Sequence, residues 1–178
     1  MKSNYRHLVP NGITMASLVC GLLSLLMATR GAVRPAGMLI LASYVLDLFD
    51  GWSARWLQAS SPFGLHLDSL SDIVSLGTAP GILVFVHLQQ EGLTAAWVWG
   101  AVLLVPLAGA FRLTRFNLLP PKQTKDLDTM GLTISTAGAI LTLAVLSDQA
   151  LVGKELPDWS FIPLLVLLSL LMVSKIAF

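Results

Sequence analysis

Charged residues are scarce in this sequence, and cysteine is almost absent. Of 178 residues, 12% are charged and 55% are hydrophobic, and the mean hydropathy is +0.76. A charged fraction of about 25% is usual for a water-soluble domain, so composition excludes that class. The single cysteine, Cys20, excludes an intramolecular disulfide, and its apolar neighbours favour a buried small side chain. We therefore expect one membrane-embedded domain over residues 1–178.

Other absences narrow the function. The net charge is only +1, and no basic segment is interleaved with aromatic residues, so nothing supports binding to nucleic acid. Internal repeats and low-complexity tracts are also missing. The sequence instead contains apolar runs separated by short polar turns, which predict an all-α, polytopic membrane protein with six transmembrane helices. The expected helices cover about residues 8–28, 36–49, 64–88, 97–111, 131–146 and 161–173.

The first apolar run follows a short basic start, as a signal peptide would. It extends from Leu8 to Ala28, which is long enough to cross a bilayer, and it carries polar residues at helical spacing. A cleaved signal peptide has a shorter apolar segment and a small-residue cleavage site. We therefore expect this run to remain as the first transmembrane helix.

Four aspartates interrupt the apolar sequence within a short stretch. Asp47 and Asp50 are three residues apart, and Asp68 and Asp72 are four apart, so each pair lies on one face of a helix. Lipid does not solvate an ionised carboxylate, so the pairs should face each other, a cavity or cations. Oxygen ligands at this density favour Mg²⁺ or Mn²⁺. The alternative, four solvated loop acids, conflicts with the adjoining apolar helices.

The aspartates and the residues between them resemble a family signature. The pattern is D-x2-D-G-x2-A-R-x8-G-x3-D-x3-D, and it matches the signature of the CDP-alcohol phosphotransferase family at every fixed position. The matching residues are Asp47, Asp50, Gly51, Ala54, Arg55, Gly64, Asp68 and Asp72. The resemblance implies a membrane enzyme that transfers a substituted phosphate from a CDP-linked donor to an alcohol.

The same resemblance implies a role for each signature residue. Asp47, Asp50 and Asp68 would bind metal, and Asp72 would contact the metals and act as the catalytic base. The CDP site would be lined by Gly51, Ala54, Arg55 and Gly64. Arg55 and one divalent cation together do not neutralise the negative charge of four carboxylates and a diphosphate. Two cations, Mg²⁺ or Mn²⁺, are therefore expected. Arg55 could alternatively be an interfacial anchor that reaches the lipid headgroups.

The start of the first helix is similar to that of phosphatidylserine synthases, a branch of this family. Pro10, Asn11 and Thr14 occupy matching places, and Ser17 stands where Asn is usual. The resemblance implies that Asn11 and Thr14 lie near the nucleotide. The alternative is that these polar side chains pack against neighbouring helices.

Basic residues end the fourth predicted helix. Arg112 and Arg115 are three residues apart, and Asn117 follows. Guanidinium groups suit carboxylates and phosphates. This run is also similar to phosphatidylserine synthases, which implies transfer of the phosphatidyl group of CDP-diacylglycerol to serine, with release of CMP, and an acceptor site at Arg112, Arg115 and Asn117. Alternatively, the two arginines are cytoplasmic anchors of the helix. The acceptor could also be glycerol 3-phosphate or inositol phosphate, because the prolines that phosphatidylserine synthases commonly carry near Thr133 and Ser135 are missing.

Lys and Arg are distributed unevenly among the predicted turns. Six spans put both termini on one side of the membrane, and the segments on that side hold eight basic residues against three on the other. The positive-inside rule therefore predicts cytoplasmic termini and a cytoplasmic active site in the inner membrane. The family resemblance further implies a homodimer. A divalent-cation transporter is the alternative from a different class, although no second set of acids mirrors the first.

Overall fold

The computed structural model of the chain describes residues 8–57, 61–118, 131–150 and 157–174. Within these ranges all regular structure is helical, which confirms the all-α prediction. The helices are α1 (Leu8–Thr29), α2 (Val33–Trp56), α3 (Pro62–Gln90), α4 (Ala96–Asn117), α5 (Ile134–Ala150) and α6 (Phe161–Val173). A short 3₁₀ turn, Asp158–Ser160, precedes α6. The chain termini and the loop after α4, which carry many of the basic residues used to predict topology, lie outside the described residues.

The described helices fit a membrane protein, although they differ in length and polarity. By length and composition, α1, α3 and α4 could each cross a bilayer, whereas α5 and α6 are shorter. α2 has 24 residues but carries two arginines and two aspartates, so it is less apolar than the others. Six membrane spans therefore stay a prediction.

α3 lies at the centre of the helical bundle. It contacts α1, α2, α4 and α5. Its buried residues Leu76, Leu83 and Leu88 pack with residues of the surrounding helices, such as Ile40 of α2 and Leu141 of α5. α1 packs against the first turns of α3, where Asp68 is half-buried and Asp72 is buried.

Small residues let α1 approach its neighbours closely. Its buried residues follow one another at helical spacing and are Pro10, Thr14, Ser17, Gly21, Ser24 and Ala28. The hydroxyls of Ser17 and Ser43 of α2 are 2.8 Å apart, and a side chain at Gly21 would collide with Ser75 of α3. Close contact of this kind is typical of helices in membranes. This close contact packs α1 against α2 and α3, the two helices that carry the aspartates.

α3 departs from α-helical geometry near Gly77 and Pro80, residue types at which helices commonly kink. Residues Ile73–Thr78 form a π-helical turn, in which the Ala79 N–H donates to the Val74 carbonyl. Pro80 has no N–H for the Leu76 carbonyl four residues earlier. Gly138 of α5 packs directly against that carbonyl, since a side chain there would collide with it. The π-helical turn is therefore also a place where α3 and α5 approach each other closely.

Several helix boundaries differ from the prediction by a few residues. α2, which was predicted to continue into the acidic pair, ends at Trp56. α5 begins at Ile134 rather than near Gly131, because Gly131 has a positive φ of 75° that suits a turn. The Thr136 N–H then donates to the Thr133 hydroxyl at 3.1 Å, which is a side-chain cap on the start of α5. This cap stabilises the first turn of α5, which contains Ser135.

Candidate active site

The four predicted aspartates come together where the end of α2 meets the start of α3. One carboxylate oxygen from each of Asp47, Asp50 and Asp68 lies within 4.8 Å of the other two. Asp72 is one turn further along α3, and its carboxyl group lies beside that of Asp47. Asp50 and Asp72 are buried, and the other two are half-buried. Neighbouring carboxylates repel one another and lose solvation in this setting, so the arrangement requires positive charge from outside the cluster.

The donor set fits a divalent metal ion. Carboxylate oxygens are ligands that Mg²⁺ and Mn²⁺ prefer, and these three converge from two helices. The Oδ1 atom of Asp68 is buried and has no hydrogen-bond partner among the described residues. A buried acceptor without a donor is costly unless a ligand or ion completes it. The cluster therefore has the chemistry of a metal centre.

Thr14 connects α1 to the aspartate cluster. Its hydroxyl donates to Asp50 Oδ2 at 2.7 Å and also lies 3.0 Å from the Pro10 carbonyl. Thr14 is buried, so water does not compete for this contact. The sequence predicted Thr14 near the nucleotide; the structure adds a hydrogen bond that orients an aspartate.

A cavity of about 210 Å³ adjoins the aspartates. Three helices line it, with Pro10, Asn11 and Thr14 from α1, Asp50, Gly51, Ala54 and Arg55 from α2, and Gly64, Leu65 and Asp68 from α3. All six residues predicted to bind CDP or phosphate are among them. Their role in binding stays a prediction, but the sequence correctly indicated residues from three helices that share one cavity.

Small residues line part of the cavity and leave space in it for a ligand. A side chain at Gly64 would lie 3.1 Å from Asn11 Oδ1, and one at Gly51 would lie 3.7 Å from the Arg55 guanidinium. The Gly64 N–H donates to the Ser61 hydroxyl at 3.0 Å, which caps the start of α3. Because Gly64 and Leu65 border the cavity, the positive end of the α3 dipole lies at its edge. An anion such as a phosphate is favoured there.

The residues predicted to bind the acceptor lie on the last turns of α4. Asn117 Nδ2 donates to the Ser69 hydroxyl of α3 at 3.0 Å, which holds the end of α4 beside the turn that carries Asp68 and Asp72. Arg112 and Arg115 are half-buried. None of these three α4 residues is among those that line the 210 Å³ cavity. The structure therefore brings Asn117 next to the aspartate-bearing turn, and none of the three residues lines the cavity.

Sequence reasoning missed one polar side chain beside the aspartates. Ser135, on the first turn of α5, lies near the Asp47 carboxylate. The segment that contains Ser135 is rich in Ser, Thr and Gly, which favours close helix packing. Helical periodicity does not reveal which carboxylate a side chain on another helix will meet.

Comparisons with known proteins agree with this geometry. The sequence profile of CDP-alcohol phosphatidyltransferases matches residues 7–174. A CDP-diacylglycerol--serine O-phosphatidyltransferase from Helicobacter pylori (strain ATCC 700392 / 26695) is 33% identical over 182 residues, which cover 100% of this chain and 74% of that protein. The protein of the same name from Bacillus subtilis (strain 168) is 32% identical over 179 residues, covering 96% and 89%.

An archaeal relative shows a similar level of identity over a shorter region. The archaetidylserine synthase of Methanothermobacter thermautotrophicus is 34% identical over 113 residues, which cover 62% of this chain and 47% of that protein. The family resemblance inferred from the aspartate signature is confirmed by these matches. Because the family profile covers nearly the whole chain, this protein belongs to the CDP-alcohol phosphatidyltransferase family.

Proposed function

We propose that this protein transfers the phosphatidyl group of CDP-diacylglycerol to the hydroxyl of L-serine, giving phosphatidylserine and CMP. The observation that carries the proposal is the convergence of Asp47, Asp50, Asp68 and Asp72 beside a cavity lined by the other signature residues. The names of the Helicobacter and Bacillus relatives support serine as the acceptor. The archaeal relative is also named for a serine-containing lipid.

The aspartates would bind two divalent cations, Mg²⁺ or Mn²⁺. Three carboxylate oxygens within 4.8 Å of one another support this role, as does the buried Asp68 oxygen that lacks a hydrogen-bond partner among the described residues. When bound, the metals supply positive charge that stabilises the attacking and leaving oxygens of an in-line displacement. The chain itself orients the ligands through the rigid turns of α2 and α3.

The 210 Å³ cavity would hold the polar part of the donor. It is smaller than a typical pocket for a whole ligand, about 300–1,000 Å³, so it suits the diphosphate and its immediate neighbours. Arg55 and the start of α3 would bind the phosphates. The acyl chains would lie along the exposed apolar face of α2, where Val45, Leu48, Phe49 and Trp52 line a groove of about 450 Å³.

Asp72 would accept the proton of the serine hydroxyl. A hydroxyl is a weak nucleophile at neutral pH, and a positioned carboxylate can take its proton as the new bond to phosphorus forms. The serine oxygen then replaces the oxygen of CMP on the phosphatidyl phosphorus, and CMP leaves. Asp72 suits this role because it is buried and contacts Asp47, at the inner edge of the cluster.

The end of α4 would bind the acceptor. Arg112 and Arg115 can each form paired hydrogen bonds to the serine carboxylate or to a donor phosphate. The hydrogen bond from Asn117 to Ser69 supports this location, because it joins the end of α4 to the turn of α3 between Asp68 and Asp72. Glycerol 3-phosphate and inositol phosphate are also anionic, so the acceptor must be identified by experiment.

The proposal includes the arrangement in the membrane. The chain would form one domain with six spans, both termini and the active site would be cytoplasmic, and two copies would form a homodimer. The eight-to-three distribution of basic residues supports the orientation. A reporter fused after Phe178 should therefore be active only in the cytoplasm, and activity only outside would contradict this topology.

The decisive experiment is CMP release by the purified protein. CDP-diacylglycerol would be incubated with Mg²⁺ or Mn²⁺ and with serine, glycerol 3-phosphate or inositol phosphate in separate reactions. We expect serine to support the fastest release and a chelator to abolish it. Release with glycerol 3-phosphate and none with serine would overturn the acceptor assignment, and release unaffected by the chelator would overturn the metal centre.

A further inference from the structure

We propose that a phospholipid of the bilayer binds in a further cavity, with one acyl chain inside it and the phosphate at its polar end. The cavity has a volume of about 640 Å³ and lies among α1, α3 and α4. Phe85, which lines it, is about 20 Å from Asp72 along α3, at 1.5 Å per residue. The cavity is therefore separate from the candidate active site, and its occupant does not depend on which reaction the aspartates support.

The cavity lies between two helices that α3 holds apart. α3 packs against both α1 and α4, which have no extensive contact with each other among the described residues. The rings of Phe85 on α3 and Trp99 on α4 pack with their centroids 4.7 Å apart. The Gln90 Nε2 atom donates to the Gly31 carbonyl at 2.8 Å, which joins the turn after α1 to the end of α3. Packed helices, rather than a loop, thus form the cavity walls.

Polarity changes from one end of the cavity to the other. The polar lining residues Thr29, Gln89 and Gln90 lie at the ends of α1 and α3. Ile82 of α3 and Leu103 of α4 line the cavity further from these ends and are apolar. Helix ends lie at the membrane interface, whereas helix interiors lie in the hydrocarbon. A phospholipid has the same order of groups, since its headgroup is interfacial and its chains point inward.

The cavity opens toward the bilayer. Trp99 and Leu103 line it, and they are 56% and 55% exposed. Both lie on α4, which could cross a membrane by length and composition. An opening on the side of such a helix faces lipid, and an apolar space does not hold water well. A volume of about 640 Å³ is also within the usual range for ligand sites, about 300–1,000 Å³.

Donors for a phosphate are present at the polar end. Gln90 carries a second amide hydrogen besides the one donated to Gly31, and Gln89 is exposed beside it. Arg30 lies between the lining residues Thr29 and Gly31, is exposed, and forms no ion pair with another described residue. Guanidinium and amide groups bind phosphate oxygens. Because surrounding lipid chains are as apolar as the cavity, the phosphate contacts should determine whether a lipid is retained.

The first test measures lipid binding to the purified full chain by native mass spectrometry in detergent, with neither metal nor CDP-diacylglycerol present. Phosphatidylglycerol, phosphatidylethanolamine and diacylglycerol with identical acyl chains are titrated separately. We expect both phospholipids to bind more tightly than diacylglycerol, because they share the phosphate. Equal binding of diacylglycerol would overturn the role of the phosphate, and no retention of any lipid would overturn the site.

Filling the cavity should exclude the acyl chain. Leu103→Trp should weaken phosphatidylglycerol binding at least about tenfold, because the larger side chain clashes with the chain. Leu107→Trp is the matched control, since Leu107 is exposed one turn later on α4 and does not line the cavity. Equal Kd values for the two variants would overturn the site. Should Leu103→Trp fail to fold, Val86→Phe fills the cavity from α3, and an unchanged Kd in that variant would also overturn it.

Removing the guanidinium should act on the phosphate alone. Arg30→Gln should weaken phosphatidylglycerol binding by about tenfold, the size of one lost hydrogen bond to a charged group, and leave diacylglycerol binding unchanged. Arg34→Gln is the control, because Arg34 Nη2 donates to the Gln149 carbonyl at 2.6 Å and Arg34 does not line the cavity. An equal loss in both variants would be a general effect of positive charge and would overturn the phosphate position.

Fluorescence quenching locates the bound chain. Phosphatidylglycerol with a brominated acyl chain should quench Trp99, which lines the cavity, more than Trp97, which is similarly exposed but does not line it. Trp99→Phe should therefore remove most of the quenching, and Trp97→Phe should remove little. The reverse order would place the chain outside the cavity and overturn the proposal.

Other occupants give different outcomes. Displacement of phosphatidylglycerol by CDP-diacylglycerol would overturn the proposal, because the cavity would then hold a chain of the donor. So would an absence of phosphatidylglycerol binding together with a changed proportion of dimer in Leu103→Trp, since the cavity would then be a contact between two copies. Phosphatidylglycerol binding without CMP release from any acceptor would support this site while overturning the proposed function.

Discussion

Two polar clusters lie on α3, one toward each end, and they are built in opposite ways. Asp68 and Asp72 meet the aspartates of α2 at one end. Toward the other end, His87 Nε2 lies 3.0 Å from Asp148 Oδ2 of α5, with side-chain exposures of 1% and 4%. At 1.5 Å per residue, Asp72 and His87 are about 22 Å apart along the helix. The same helix therefore carries a cluster of like charges and an acid–base pair.

The difference indicates which cluster is functional. The His87–Asp148 pair supplies its own donor and acceptor, and the His87 ring packs edge-on against Phe161. The aspartate cluster contains only acceptors, and it adjoins a cavity. A self-complementary pair can hold helices together with nothing bound, whereas a cluster of carboxylates is stable only when cations or protons neutralise its charge. We therefore expect substitutions in the two clusters to have different consequences.

The largest effect is expected for Asp68→Asn, because it removes charge from the proposed metal ligands. Metal affinity and the rate of CMP release should fall together. Mn²⁺ binding and CMP release would be measured on the same preparation, with Asp148→Asn as the control at the other cluster. Normal Mn²⁺ binding by Asp68→Asn would contradict the proposed difference between the two clusters. So would a loss of Mn²⁺ affinity in Asp148→Asn as large as that in Asp68→Asn.

Asp72→Asn should separate proton transfer from metal binding. CMP release should fall by about 10²–10⁴-fold, the usual contribution of a positioned general base, while donor and at least one metal still bind. Calorimetry of metal-dependent donor binding, paired with turnover, checks this expectation. Near-normal turnover would exclude Asp72 as an essential base, and loss of binding together with turnover would make it chiefly a metal ligand.

His87→Ala should act on stability rather than on catalysis. It leaves the Asp148 carboxylate buried without its partner, and breaking a buried pair in this way costs about 3–5 kcal/mol. We expect a lower thermal midpoint in detergent, with CMP release per folded molecule unchanged. Because both partners also keep one buried atom without a hydrogen-bond partner among the described residues, the double variant His87→Leu/Asp148→Leu should be more stable than His87→Ala. An unchanged thermal midpoint for His87→Ala would contradict a structural role for the His87–Asp148 pair.

The smallest effects are expected on α4. Arg112→Lys and Arg115→Lys keep the positive charge but lose the planar, paired hydrogen bonds of a guanidinium. The KM for serine or for the donor should rise by about tenfold, equivalent to about 1.4 kcal/mol, and Mn²⁺ affinity should not change. Kinetics with each substrate varied in turn would distinguish the two roles. Unchanged KM values for both substrates would favour the alternative role as cytoplasmic anchors.

Much of the active site could be predicted from sequence because its parts follow local rules. The spacing of Asp47 and Asp50 places both on one helical face, and the same holds for Asp68 and Asp72. The family resemblance placed Gly51 and Gly64 at the CDP site. The six residues predicted for the CDP site do line one cavity. Helix ends were predicted less well: α5 begins after Gly131, because that glycine adopts a turn conformation.

By itself, the sequence determined the class of protein, the helices and the identity of the aspartates, since hydropathy, helical periodicity and residue spacing are properties of the chain. The tertiary structure alone decided that the Thr14 hydroxyl meets the Asp50 carboxylate. It also paired His87 with Asp148. These contacts join residues far apart in sequence, and they depend on how closely α1 and α5 pack against α2 and α3, which no local pattern encodes.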